Sequence, residues 1–315
     1  MTKSQEDRRL DASIGAFEAA AHARAVELPA PLTPGVVLEV FDGSNQDRLV
    51  NALTSALVRH TGGRVIATHA DPSLDAEAAM QAIASYLPGE APTADEEVAT
   101  VFTGGATAAI RILEARKAVG AGLIVMPAPC VSDLDELGEN TVGETTELVL
   151  ASRPDIPVLL VRDPDVDADA CFRRMLVLVD LHPVEAGKAI SAALALCEPG
   201  ATVQLVGLVH EDALAEVRDL VGDEVEEDLL SPAHAETAAG KLLAGHVAAA
   251  NRRARERDVS LSIRFQVGTP QQVARALSSA SDQLLVTGCS EDASTIEFSR
   301  VLELVRYSRM PVLVV

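Results

Sequence analysis

Short apolar runs alternate with amphipathic stretches along nearly the whole chain, and the alternation is written twice. "GVVLEVFDGS" (35–44) runs apolar to Asp42, and "FRRMLVLVDLH" (172–182) does so to Asp180. Runs of this length, rich in Val and Leu and bounded by polar residues, predict buried strands. Each is followed by a period of 3.6. "NQDRLVNALTSALVRH" (45–60) puts Leu49, Leu53, Ala56 and Leu57 on one helical face, and "PVEAGKAISAALALC" (183–197) does the same with Ile190, Ala193, Leu194 and Cys197. A second strand follows in both copies, ending near His69 in "RVIATHA" and at His210 in "TVQLVGLVH".

After a variable polar middle the copies converge again. "VFTGGATAAIRILEARKAVGAGLIVM" (101–126) and "IRFQVGTPQQVARALSSASDQLLVTG" (263–288) each predict strand, Gly turn, helix and strand. In the second, Gly268, Thr269 and Pro270 supply turn, N-cap and first helical residue in that order. One more helix in each copy, around "GETTELVLAS" and "STIEFSRVLELVRYS", leads to a last strand, "PVLLV" (157–161) or "MPVLVV" (310–315). Strands alternating with helices predict an α/β fold: two tandem, doubly wound, parallel five-stranded sheets. The expected layout is a helical extension over 1–34, a domain over 35–162, a linker over 163–170 and a domain over 171–315. Pro157 and Pro311 suit strand starts, and the strands behind them are apolar on both faces. Such strands need cover, so the copies are expected to pair there about a pseudo-two-fold axis, with a homodimer as a further form of self-association.

Composition narrows the function. The 315 residues are 48% hydrophobic, with only 3% aromatic and no Trp, so the cores are aliphatic. No apolar run approaches the roughly 18 residues of a membrane span, and the charged start "MTKSQEDRRLDAS" lacks the apolar stretch of a secretory signal, so a cytoplasmic protein with no membrane insertion is expected. Acids outnumber bases 47 to 26, for a net charge of −21, which repels nucleic acid. Four cysteines without C-x-x-C spacing support neither a zinc site nor a disulfide framework, and no metal site is expected.

The ordered set "VFDGS" (40–44), "THADP" (68–72), "VFTGGATAAIRILEARKAVGAGLIVM" and "PVLLV" resembles one universal stress protein domain. "VLVDLHP" (177–183), "LVH" (208–210), "VGTPQQVARAL" (267–277), "DQLLVTG" (282–288) and "MPVLVV" resemble a second. The resemblance implies the five-stranded, adenine-nucleotide α-hydrolase-like sandwich and a tandem stress-response protein. It also implies an adenine nucleotide, ATP or AMP with Mg²⁺, as the ligand to test for. On matching positions the candidate binding residues are Asp42, Gly43, Gly105 and Gly143 in the first copy. In the second they are Asp180, Gly268, Gly288 and Ser299.

ATP-binding members carry G-x-x-G, about nine residues, then G-[ST] after the fourth strand, where backbone N–H groups approach phosphates. The first copy has no G-x-x-G, its Pro127 and Pro129 remove donors, and Gly143 is followed by Glu144. In the second, Glu291 and Phe298 stand at glycine positions and the loop is short. Asp133, Asp135, Glu136 and Glu139 crowd the first loop and Glu291, Asp292 and Glu297 the second, with no cation until Arg300. The expectation is a non-enzymatic regulator with degenerate nucleotide loops. An ATP/AMP switch in the second copy is the first alternative and a slow nucleotide hydrolase the second. No G-x-S-x-G, H-E-x-x-H or Walker A sequence is present, so no catalytic residue is assigned. For Asp42 and Asp180 a turn or cap role stands beside the ligand role, and His69 and His210 are expected to be hydrogen-bonded structural residues. The acidic loops around Cys130 and Cys289 speak against reactive thiols. Residues 223–232 are expected to be a solvated acidic face, and residues 4–27 to form an amphipathic helix through Leu10, Ile14, Phe17 and Ala21.

Overall fold

The structure is a computed structural model that describes residues 26–86, 99–130, 141–152, 156–180, 183–211, 231–277, 282–289 and 293–315. Residues 4–25 of the helix expected over 4–27, the acids of 133–139, Glu291, Asp292 and residues 223–230 of the acidic segment expected over 223–232 lie outside the described residues.

In the first copy the apolar runs form β1 (Val36–Phe41), β2 (Arg64–His69), β3 (Ala99–Thr100), β4 (Leu123–Pro127) and β5 (Val158–Val161). In the second they form β6 (Arg174–Asp180), β7 (Thr202–His210), β8 (Ser260–Gly268), β9 (Leu284–Thr287) and β10 (Val312–Val314). They make one sheet in the order β3-β2-β1-β4-β5-β10-β9-β6-β7-β8, so the same five-strand order appears twice in mirror sequence. Every pairing is parallel except the central one. There β5 and β10 run antiparallel, with Val312 opposite Leu160, Leu313 opposite Leu159 and Val314 opposite Val158. The echoed endings thus meet each other, and Leu159, Leu160, Val312 and Leu313 have no exposed surface. Burying a side chain of this kind stabilises by about 1.5–3 kcal/mol relative to leaving it in water.

Helices cover both faces. α1 (Asp47–Thr61), α5 (Ala168–Arg173), α6 (Pro183–Leu196) and α8 (Ala244–Glu256) cover one. α3 (Ala108–Val119), α4 (Glu144–Ala151), α9 (Pro270–Leu277) and α10 (Thr295–Tyr307) cover the other. α2 (Ala76–Tyr86) packs Ile83 against Phe41 and Ala67, and α7 (Pro232–Leu242) lies by β8. The predicted apolar faces are the buried ones: Leu49, Leu53, Ala56 and Leu57 on α1, and Ile190, Ala193, Leu194 and Cys197 at and beyond α6. Thr269 and Gln272 cap α9 reciprocally, each backbone N–H donating to the other's side chain, at 2.9 and 3.2 Å. One strand falls short: β3 keeps two residues where the pattern extended through Phe102, and the Thr103 hydroxyl donates to the Arg111 carbonyl at 3.0 Å.

Residues 26–34 form no regular element but are anchored to the second copy. Leu28 enters the core, the Ser191 hydroxyl and Arg253 Nη1 donate to Pro29 O at 2.8 and 3.0 Å, and Arg252 donates to Val26 O at 3.3 Å. This strap leads into β1, so the first copy begins on the surface of the second.

Candidate functional site

Open parallel sheets bind ligands beyond the carboxyl ends of their strands, where the strand order reverses. Two such places exist here, beside β1/β4 and beside β6/β9, and the chain treats them differently.

In the first copy the crevice is occupied by the protein's own polar groups. Asp42 is 4% exposed, and its carboxylate accepts the Ser44 N–H at 2.9 Å, the turn role that stood beside the ligand role. Asp47 opens α1 and accepts the Asp42 and Gly43 N–H groups at 3.1 and 2.8 Å. Burial, with the neighbouring Asp42 charge, pushes the Asp47 carboxyl well above the usual carboxylate range. Gly43 takes φ 88° in this turn, a conformation that favours glycine. The buried Gln46 amide donates to Arg162 O at 2.6 Å and Ala128 O at 3.5 Å, bridging the ends of β5 and β4 like a plug. His69 accepts the Asp71 N–H on Nδ1 at 3.2 Å, and burial lowers its pKa, keeping the ring neutral. Of the remaining candidates, Gly105 lets the Arg111 backbone approach, since a Cβ there would lie 2.9 Å from Arg111 N, and Gly143 starts α4 with φ 85°. These are structural duties, and only Asp42 and Gly43 share a loop.

The second copy is open. A cavity of about 60 Å³ is walled by Leu178, Leu208, Val301 and Leu304 on its apolar side and by Asp180, Glu185, His210, Glu297 and Arg300 on its polar side, with Gly288 at its edge. A wider groove of about 470 Å³ shares His210, Pro270 and Arg300 with it and is also lined by Gly268, Thr269 and Ser299. All four candidates of this copy therefore line one crevice. At the partition, a single oxygen of Asp180, Oδ2, lies 2.9 Å from His210 Nε2 and 3.7 Å from Arg300 Nη1. His210 is hydrogen-bonded, as expected, yet it also faces the crevice.

The glycine and charge chemistry is poor for phosphate. A Cβ on Gly288 would fall 2.7 Å from Glu185 Cβ and 2.8 Å from Glu185 O, so this glycine admits the start of α6. Three carboxylates face one guanidinium already drawn to Asp180. A phosphate charge about 4 Å from a carboxylate is opposed by roughly 1 kcal/mol in water and more when buried. That Glu185 and Arg300 line one cavity escaped the sequence reading, because α6 and α10 are brought together only by the sheet. The His210–Asp180 pair was more accessible, since both end neighbouring parallel strands. Among the described residues no cluster of three or more His, Cys, Asp or Glu forms a metal site, and no helix is long and apolar enough to cross a membrane.

No protein-family profile matches the chain and no curated protein matches it in sequence. Solved structures do match in fold. One is a functionally unknown protein from Pseudomonas aeruginosa PAO1, at 14% identity and TM-score 0.57, over 89% of this chain and 92% of that one. Another is a universal stress protein from Archaeoglobus fulgidus DSM 4304, at 15% identity and TM-score 0.51, over 89% and 95%. A third is a candidate universal stress protein from Pseudomonas aeruginosa UCBPP-PA14, at 13% identity and TM-score 0.56, over 89% and 92%.

Proposed function

We propose that this chain, whose fold is that of the universal stress proteins, is a non-enzymatic regulatory binding protein of the cytoplasm that works without a phosphate cradle. The observation that carries this reading is the wall of the second crevice, where Glu185 fills the space beside Gly288 and Arg300 is engaged by Asp180. The first crevice is given over to Gln46 and Asp47, which supports a division of labour between a structural copy and a binding copy. Two domains over 35–162 and 171–315, with self-association through their last strands, belong to the same proposal.

The test is thermal unfolding of the purified, nucleotide-free chain with adenosine, AMP, ADP and ATP, each with and without Mg²⁺. No shift with ATP is expected. A ligand at 100 times its Kd stabilises by about 2.7 kcal/mol, so a rise of several degrees with ATP that disappears in Asp180→Ala would overturn the reading. That outcome would establish the second reading, an ATP/AMP switch, which is favoured by Asp180, Gly268, Gly288 and Ser299 lining one crevice.

A further inference from the structure

Residues 26–34 join the two copies along a path with one pinned end and one seated end. The pinned end belongs to the first copy, where Pro34 is buried and its carbonyl lies so near Gly63 that a Cβ there would fall 2.5 Å from it. The seated end rests on α6 and α8 of the second copy. Leu28 is buried there, a Cβ on Gly187 would stand 3.4 Å from Pro29 Cδ, and Arg253 donates to the Ser191 hydroxyl at 2.8 Å, fixing to each other the two donors that hold Pro29 O. Between these ends the strap spans a gap. A cavity of about 280 Å³ lies under it, roofed by 29–33 and floored by Pro157 of the first copy and by Lys188, Ala192, Cys289 and Val315 of the second. Pro29, Ala30, Pro31 and Thr33 are exposed, and no residue of 26–34 belongs to a helix or strand. Among the described residues the hold is thus one buried leucine side chain and a few hydrogen bonds to carbonyls, over a void in place of a packed face. Two features tie this seat to the second crevice. Cys289 lines both cavities, and α6 carries Glu185 on the crevice wall as well as Gly187 and Ser191 under the strap.

We propose that residues 26–33 are a releasable strap, which lifts from α6 and α8 about its pinned end at Pro34 while the sheet stays intact, and which roofs the rear of the second crevice. Seated, it closes the space behind Cys289. Lifted, it opens that space to solvent and frees the outer face of α6. The strap acts this way whether or not the crevice takes a nucleotide, so this proposal and the functional reading can fail separately.

The full-length chain is treated with a glutamate-specific protease at urea concentrations below its unfolding transition, and cutting after the exposed Glu27 is followed by mass spectrometry. With Leu28 seated, this bond is protected, so the rate of cutting reports the lifted population. It is expected to be nearly independent of urea, because a local lift exposes little surface. Leu28→Ser on the strap and Arg253→Ala on its seat should each speed the cut roughly tenfold or more, with the urea midpoint of global unfolding little changed. Leu28→Ser decides the matter should Arg253→Ala weaken the core. The Cys289 thiol should react faster in step with the cut, while Cys171 and Cys197 keep their wild-type rates. The proposal is overturned if cutting rises with urea as steeply as global unfolding does, if Leu28→Ser leaves the cut unchanged, or if Cys289 keeps its wild-type rate in that variant.

Discussion

Glu39 is an acid in the middle of a buried strand. It has no exposed surface, faces α1, and is met by the Asn51 amide at 3.2 Å. Burial dominates its titration and pushes its pKa from 4.5 up to about 7, with Asn51 and Thr54 beside it holding it down in part. The direction of the linkage follows. The folded state binds this proton more tightly than the unfolded chain, so the stability it contributes is fully present below pH 4.5 and is lost as the pH rises through about 7. At 1.36 kcal/mol per pH unit over that interval, the ionised carboxylate destabilises the fold by about 3 kcal/mol. Glu39→Gln keeps the shape and an acceptor for Asn51 while removing the charge. Urea unfolding from pH 4 to 9 should show a wild-type stability that declines between about pH 4.5 and 7, a shallower decline in the variant, and a variant more stable by up to about 3 kcal/mol at pH 8. Asp47, raised in the same direction, leaves a residual slope in both. A variant with the wild-type slope, or one less stable at pH 8, would refute the reasoning.

Gly288→Ala drives a methyl group into Glu185 O, a backbone atom that has no easy way to move, and should cost about 1–3 kcal/mol in urea unfolding. Gly268→Ala meets only the flexible Gln272 Oε1 at 3.0 Å and should cost clearly less; equal losses would contradict this account of Gly288. Gln46→Ala leaves the Arg162 carbonyl without its donor, with an expected loss of about 1–3 kcal/mol, and an unchanged urea midpoint would show that the plug holds nothing. Among the thiols, Cys289 is the partly exposed one, while burial pushes Cys171 up to about 12 and raises Cys197. A chromogenic disulfide reagent at pH 8 should therefore modify Cys289 first, and equally fast labelling of Cys171 in the native protein would count against the packing around it.

What the sequence disclosed was whatever is local or periodic. The strand endings at Asp42 and Asp180, the apolar faces of α1 and α6, and the Thr269–Pro270 start of α9 all follow from spacing over a few residues. The pairing of β5 with β10 was legible because two apolar strands after proline had no other cover. The state of the two crevices was not, because it depends on contacts across the chain. Gln46 reaches Arg162, 116 residues away, and Glu185 settles on Gly288 from another helix. A glycine in a string shows that a Cβ is absent; only the neighbours reveal whether the gap serves a ligand or the protein's own backbone.

The antiparallel junction of β5 with β10 also bears on how the two copies can diverge. Tethered in one chain, they face each other at an effective concentration of the order of millimolar, so dilution does not separate them. A symmetric pair of separate chains must carry every substitution on both sides of its axis, and a change that sealed one pocket would seal both. Here each occurs once. The position of the buried acid Glu39, three residues before Asp42, is held in the other copy by Val177, three before Asp180, and the Gln46 plug serves one crevice alone. In one chain a substitution can alter one crevice and leave the other as it was, which is the freedom the proposed division between a structural and a binding copy requires.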